Sequence, residues 1–330
     1  MSELLEKAKK LHFDSIVIDG LNASIFNKEL LERVKKGGIT AFNATVSTIE
    51  DFKDTISNIL FWKKMFLEFK NLIIPVTNVK DIEKAKELNK VGIILGFQNT
   101  SPLEGNIKFL SVFKEMGVKI IQLTYNERNL VGNGCFERVD GGLSKFGIRI
   151  IKEMNKLGIL VDLSHVGPKS TMEAIEISEK PVAITHANPR TLFDYPRNKT
   201  DEQIKLLASK DGVIGVTFWP FFLSKGMNST IEDYLDNIDY MINLVGIDYV
   251  SIASDFFLNR SREMLQKFRA GRSEEPSTVE FEWPVIYPEG IRIPEEFPNI
   301  TYGLLKRGYS HEDVRKIMGK NLVRIFKEVW

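Results

Sequence analysis

The chain has 330 residues, 43% of them apolar, and a formal net charge of +1 with both signs interleaved along its length. That size and apolar content allow one large core, and the charge balance excludes a nucleic-acid or anionic-membrane surface as the organising feature. Cys135 is the single cysteine, so no disulfide framework forms within the chain. The charged start MSELLEKAKK lacks the apolar centre of a signal peptide, and no apolar run approaches a membrane span, so a cytoplasmic protein is expected.

In chain order, Ile16–Asp19 reads as a short strand after an N-terminal helix, and Lys28–Lys36 as a helix stopped by Gly37 and Gly38. Ile39–Val46 reads as a strand. Thr48–Phe69 reads as a long amphipathic helix with Phe52, Ile56, Leu60, Met65 and Phe69 as its buried stripe. Helix Lys80–Asn89 then leads to strand Val91–Gln98, helix Asn106–Met116 to strand Val118–Thr124, and helix Ser144–Leu157 to strand Gly158–Ser164. Helix Lys169–Ser178 leads to strand Pro181–Thr185, helix Asp201–Ser209 to Val213–Phe218, and helix Ile231–Val245 to Asp248–Ser254. Eight strands alternating with helices predict a single (β/α)8 TIM barrel over residues 1–330. No glycine-rich phosphate loop follows any strand, which disfavours a dinucleotide fold. Residues 260–299, rich in charge, proline and aromatics, read as an excursion over the barrel mouth, an oligomer contact or a mobile loop. Residues 310–329 read as a closing helix started by a Ser310–Asp313 capping box. His12 and His311, both on helices, are assigned to structure or surface.

Catalytic groups of such a barrel project from the C-terminal ends of its strands. Those ends carry Asp19, Asn43, Gln98, Tyr125, His165, His186, the Phe218–Trp219 pair and Asp255, and the loop after the sixth strand adds Arg197. Two of the four histidines, His165 and His186, occupy equivalent strand ends joined by one crossover helix. Such a crossover makes the strands parallel, so both imidazoles leave the same edge and form a candidate ligand pair. The blander alternative is that each is a satisfied polar residue under a loop. Two neutral imidazoles with an oxygen ligand can hold zinc and leave a position for a reactive water. Asp255 can relay the proton to a leaving amine, and Arg197 can clamp a carboxylate through paired hydrogen bonds. The set reads as metal-assisted hydrolysis of a small carboxylated amide.

The segments VDLSH, ITHANPR, YPRNKTDEQIKLLASKDGVIGV and IASDF, with LGFQNTSPLEGN, GVKIIQLTYNERN and IMGKNLVRIF, resemble the renal (membrane) dipeptidase family of zinc peptidases from Val17 to Phe326. The resemblance implies a barrel of the metal-dependent hydrolase type, a homodimer and a two-zinc site. It implies that His165 and His186 hold one zinc, that Asp255 serves the other and handles the proton, and that Arg197 grips a dipeptide carboxylate. Three positions depart from the family pattern. Leu21-Asn22-Ala23 stands where the family has a His-x-Asp metal pair, Gln98 where a glutamate bridges the metals, and Tyr125 where a histidine contacts the scissile group. Leucine and alanine cannot ligate a metal, and glutamine offers only a neutral carbonyl oxygen. The expectation is therefore an amide hydrolase with one divalent metal on His165 and His186, completed by Gln98 or water. Asp255 would act as base and then acid, Arg197 would fix the carboxylate, and Tyr125 or Asn22 would contact the carbonyl. The alternative is a metal-free, small-molecule-binding pseudoenzyme of the same fold. A metal-free acid–base reaction on Asp255 and the histidines is a third reading.

Overall fold

The computed structural model describes residues 3–270 and 282–330. Helix α1 (Glu3–Asp14) precedes nine strands: β1 Ile18–Asn22, β2 Ala41–Ser47, β3 Ile73–Pro75, β4 Val91–Phe97, β5 Val118–Gln122, β6 Leu160–Asp162, β7 Ala183–Ile184, β8 Val213–Thr217 and β9 Val250–Ala253. All pairings are parallel, and eight strands follow one another in the order β1-β2-β4-β5-β6-β7-β8-β9. The ring closes where Asn22 bridges Phe256, with Ala23 N donating to Phe256 O at 2.8 Å and Asp255 N to Leu21 O at 3.0 Å. This is the expected (β/α)8 barrel. The short β3, absent from the eight expected strands, pairs with the start of β4 alone. Three residues carry no alternation to read, so only the partner strand reveals it.

Between the strands run α2 (Lys28–Lys36), α3 (Phe52–Glu68), α4 (Val79–Glu87), α5 (Phe109–Glu115), α6 (Lys145–Leu157), α7 (Pro168–Ile177), α8 (Asp201–Ser209) and α9 (Ile231–Val245). Helix α3 starts four residues later than expected. Glu50 Oε2 accepts from the backbone of Thr48 and Ile49, holding them in a turn, and Asp51 caps the helix by accepting from Asp54 N at 2.8 Å. Its buried stripe is Thr55, Ile59, Trp62 and Met65, while Leu60 is 57% exposed. This helix is apolar on more than one face, so spacing alone does not choose between stripes.

Ile18, Ala41, Ile94, Ile120, Leu160, Ala183 and Val213 of seven strands pack with Leu322, Ile325 and Phe326 of the last helix, which closes the end of the barrel opposite the site. The predicted closing helix is broken in two. Helix α12 (His311–Arg315), capped by Ser310 and Asp313, passes through a π-turn at Lys316–Lys320 into α13 (Asn321–Val329). The turn brings Gly319 against the chain before β1, where a Cβ would stand 2.3 Å from Ile16 O. Within residues 260–299, α10 (Arg262–Ala270) turns Leu265 and Phe268 inward, residues 271–281 lie outside the described residues, and helix α11 (Pro298–Lys306) follows the segment. His12 is structural, as expected: its ring bonds Thr301 Oγ1 and Gly37 O, each at 2.8 Å. His311 is exposed. No helix among the described residues is long and apolar enough to cross a membrane.

Candidate active site

Two buried carboxylates organise the strand ends. Asp162, the last residue of β6, accepts from Ser164 N and Oγ and from Thr185 N and Oγ1, stitching the turn after β6 to the end of β7. Asp19 in β1 likewise accepts from Ser254 N at 2.7 Å and Ser254 Oγ at 2.6 Å, which ties β1 to the end of β9. Burial raises the pKa of both, to about 6 for Asp19. Gly20 and Gly215 leave room beneath the site, because a Cβ on either would stand 2.6 or 2.1 Å from Thr185 O.

His165 and His186 follow those ends and meet. Their Nε2 atoms are 3.2 Å apart. His165 Nδ1 lies 2.8 Å from Asn126 Oδ1, which only accepts, so this nitrogen carries the ring proton. His186 Nδ1 lies 2.8 Å from Thr185 Oγ1, and that hydroxyl is 2.7 Å from Asp162 Oδ2. With Asp162 ionised, the single hydroxyl hydrogen goes to the carboxylate, and the oxygen accepts from His186 Nδ1–H. Both rings then turn a lone pair to one point. Burial, with Arg197 and Lys199 nearby, holds His186 well below the ordinary imidazole pKa and therefore neutral.

Arg197 is fully buried. Its Nη2 donates to His186 O at 2.6 Å, its guanidinium lies 5.1 Å from the Phe222 ring centre, and Nε and Nη1 have no hydrogen-bond partner. It lines a cavity of ≈ 50 Å³ with Gln98, Tyr125, Asn126, His165 and Asp255. Asp255 holds a left-handed backbone, φ +52°, a strained geometry for a non-glycine residue. Enclosure raises its pKa to about 7, against the lowering effect of Arg197, with Asp19 and Asp162 adding to the rise. Tyr125 stacks on His165 with ring centres 4.2 Å apart. Gln98 donates Nε2 to Thr45 Oγ1 at 2.8 Å, which leaves its amide oxygen for another partner.

Of the predicted residues, the structure therefore brings Gln98, Tyr125, His165, Arg197 and Asp255 to one cavity, with His186 behind His165. Asn22 is not brought there: its amide donates to Asp19 Oδ2 and accepts from Ser24 N, closing the loop after β1. Sequence reasoning missed Asn126 and Thr185, which fix the two tautomers. The available signal was adjacency, since Asn126 follows Tyr125 and Thr185 precedes His186. It also missed Leu265 and Phe268, which reach the cavity from α10 and follow no strand.

The residues fit one metal ion and not two. Zn–N bonds of about 2.0–2.1 Å in a tetrahedral site separate two nitrogens by roughly 3.3 Å, close to the separation seen here. Both imidazoles have their second nitrogen held by an oxygen, as metal-bound histidines do. Among the described residues no group of three His, Cys, Asp or Glu assembles, and Gln98 is a neutral oxygen donor in the same cavity as His165. At the family's second position, buried Leu21 and Ala23 offer no donor.

Paired imidazoles, a carboxyl and a buried arginine at the C-terminal mouth of a parallel barrel stand where barrels of this class carry their functional groups. The model of the membrane dipeptidase family, peptidase family M19, matches residues 5–265 and 280–330, and the chain belongs to that family. It is 26% identical over 280 residues to the dipeptidase tcpJ of Claviceps purpurea, covering 84% of this chain and 60% of that protein. The match takes in 53–62% of the length of the curated dipeptidases found. Among solved structures, an amidohydrolase from Pseudomonas aeruginosa is 46% identical with a TM-score of 0.95, covering 98% of this chain and 99% of that one. A metallopeptidase from Rhodobacter sphaeroides, liganded with a phosphinate mimic of L-Ala-D-Ala, shares the fold at 19% identity and a TM-score of 0.80, covering 96% and 100%.

Proposed function

We propose that the chain is a dipeptidase-like hydrolase that cleaves the amide bond next to a free carboxylate, in a dipeptide or small carboxylated amide, using one divalent metal. The observation that carries this reading is Arg197: a fully buried guanidinium with two unpaired donors in the same cavity as His165 and Asp255. An unpaired buried charge is costly, and a carboxylate ligand would satisfy it by paired hydrogen bonds. His165 and His186 would hold the metal, zinc by the family resemblance, with Gln98 as a neutral third donor. When bound, such an ion polarises a carbonyl and acidifies a water molecule. Arg197 fixes the carboxylate end. Asp255, with a pKa of about 7, is suited both to take a proton from water and to return it to the leaving nitrogen. Tyr125, stacked on His165, borders the place of the scissile carbonyl. A homodimer belongs to this reading on the resemblance alone.

Leu21 and Ala23, standing where the family has metal ligands, favour a second reading, a metal-free binding protein that keeps the pocket without the chemistry. Metal analysis of protein purified without chelator, with a dipeptide hydrolysis assay on the same sample, separates the two. About one equivalent of metal with hydrolysis supports the proposal. No metal and no hydrolysis, with retained binding of carboxylated amides, supports the binding protein.

A further inference from the structure

The end of the barrel opposite the mouth carries a larger cavity. It lies where the last turns of α1, α2 and α4 meet the chain just before β2, β3 and β4, and its volume is ≈ 630 Å³. Small-molecule pockets run from about 300 to 1,000 Å³. Four lysines, Lys35, Lys36, Lys86 and Lys90, line it against one acid, Glu32, so the cavity is strongly positive. Ile39 and Ala85, both buried, and Leu72 supply its apolar surface, and Phe13, 47% exposed, adds a ring.

The lysines divide into two pairs. Lys86 Nζ donates to Phe13 O and Ser15 O, and Lys90 Nζ donates to Lys70 O at 2.7 Å. These two satisfy carbonyls left over at the ends of α1 and α3. An ammonium has three donors, so Lys86 keeps one and Lys90 two. The Lys35 and Lys36 side chains form no hydrogen bond or ion pair among the described residues. Glu295, which faces Lys36, is already held by Arg33 at 2.8 and 3.1 Å. The dipole of α2 favours cations in its last turn but leaves their donors unused. Gly38 lets Phe13 stand here. Its backbone is left-handed, φ +72°, and a Cβ on it would lie 3.0 Å from Phe13 Cε1 and 2.7 Å from the His12 ring.

We propose that this cavity binds a nucleoside phosphate, with its base against Phe13 and its phosphates on Lys35 and Lys36, within reach of the remaining donors of Lys86 and Lys90. Lysines act on phosphate as point charges, whereas a carboxylate is matched by the planar fork of arginine, and no arginine lines this cavity. Inorganic phosphate alone would leave the ring and the apolar surface unused. A base fits them, because stacking needs only a π-face. None of the lining residues borders the cavity at the mouth, so the site stands apart from the hydrolase reading.

Calorimetric titration of the full-length protein with ATP, adenosine and tripolyphosphate tests this. ATP is expected to bind at one site per chain, at least about tenfold more tightly than either adenosine or tripolyphosphate. Lys35→Gln combined with Lys36→Gln should weaken ATP at least about tenfold. Phe13→Ala should weaken ATP and leave tripolyphosphate unchanged. Hydrogen exchange should show ATP protecting backbone amides in residues 36–40 and 86–91 and not those around His165. No ATP binding, ATP binding that survives the double lysine variant, tripolyphosphate binding as tight as that of ATP, or protection confined to the mouth overturns the proposal.

Discussion

His165 Nε2 and His186 Nε2 face each other at 3.2 Å, and each ring is locked from behind, one by Asn126 and the other by Thr185 on Asp162. Two facing lone pairs repel unless a cation or a shared proton lies between them, which is the physical argument for the proposed metal at this pair. Protein purified without chelator should carry about one equivalent of divalent metal, and His165→Ala or His186→Ala should lose it together with the thermal stability it confers. Asn126→Ala keeps both ligands but frees the His165 ring, and should weaken zinc binding roughly 10–100-fold by calorimetry. Unchanged metal content in both histidine variants removes them from the site.

On the proposed reading, Arg197 decides what the pocket recognises, whether or not catalysis survives. Arg197→Ala should weaken a carboxylated amide by roughly 2–5 kcal/mol, because one partner of an enclosed charge pair is lost. Carboxamide analogues should lose far less. Arg197→Lys keeps the charge and loses the planar fork, so rescue should be partial. A thermal-shift screen of paired carboxylate and carboxamide ligands reads the difference; equal affinity for both sets refutes the assignment.

The sequence was legible where one segment carries its own period or cap. Strands such as Val91–Phe97 and helices such as Asp201–Ser209, with its Thr200–Gln203 capping box, needed nothing from the rest of the chain. The placement of the candidate residues was legible too, since the barrel rule puts His165, His186 and Asp255 at strand ends once eight strands are counted. What failed depends on contacts made across the chain. Asn22 reads as a pocket residue until Asp19 and Ser24 are seen to consume its amide. The break at Lys316–Lys320 depends on Ile16 lying against Gly319. Leu265 and Phe268 reach the cavity from outside the strand-helix repeat, so no rule of strand ends finds them.

Stability should depend on pH through buried His12 and partly exposed Asp255, acting in opposite directions. Burial lowers His12 to about 4 from 6.5, so the unfolded chain binds more protons between those values, and stability is lost as the pH falls through that window. Enclosure raises Asp255 to about 7 from 3.8, so the folded chain binds more protons there, and stability is lost as the pH rises toward 7. Across pH 4–6.5 the two partly cancel in the parent. Asp255→Asn should remove the second slope and raise the Tm of metal-free protein at pH 8 by roughly 5 °C or more. His12→Gln should flatten the acid limb. A Tm–pH curve of unchanged shape in both variants refutes the coupling.

The second metal position tests whether the departures at residues 21, 23 and 98 are the cause of a one-metal site. Leu21 and Ala23 are buried and lie beside the β1–β9 seam that positions Asp255, since Asp255 N bonds Leu21 O and Ala23 N bonds Phe256 O. Leu21→His, Ala23→Asp and Gln98→Glu together restore an imidazole and two carboxylates near Asp255, a set with the hard and borderline donors zinc accepts. The triple variant should bind about two equivalents of zinc by metal analysis, against about one in the parent. Arg260 is the local competitor: its Nε already donates to Ala23 O, so a new carboxylate at residue 23 has a guanidinium beside it. Adding Arg260→Gln should therefore tighten the second equivalent further. If the triple variant and the quadruple variant both stay at one equivalent, the loop after β1 does not present its side chains to the family's metal position.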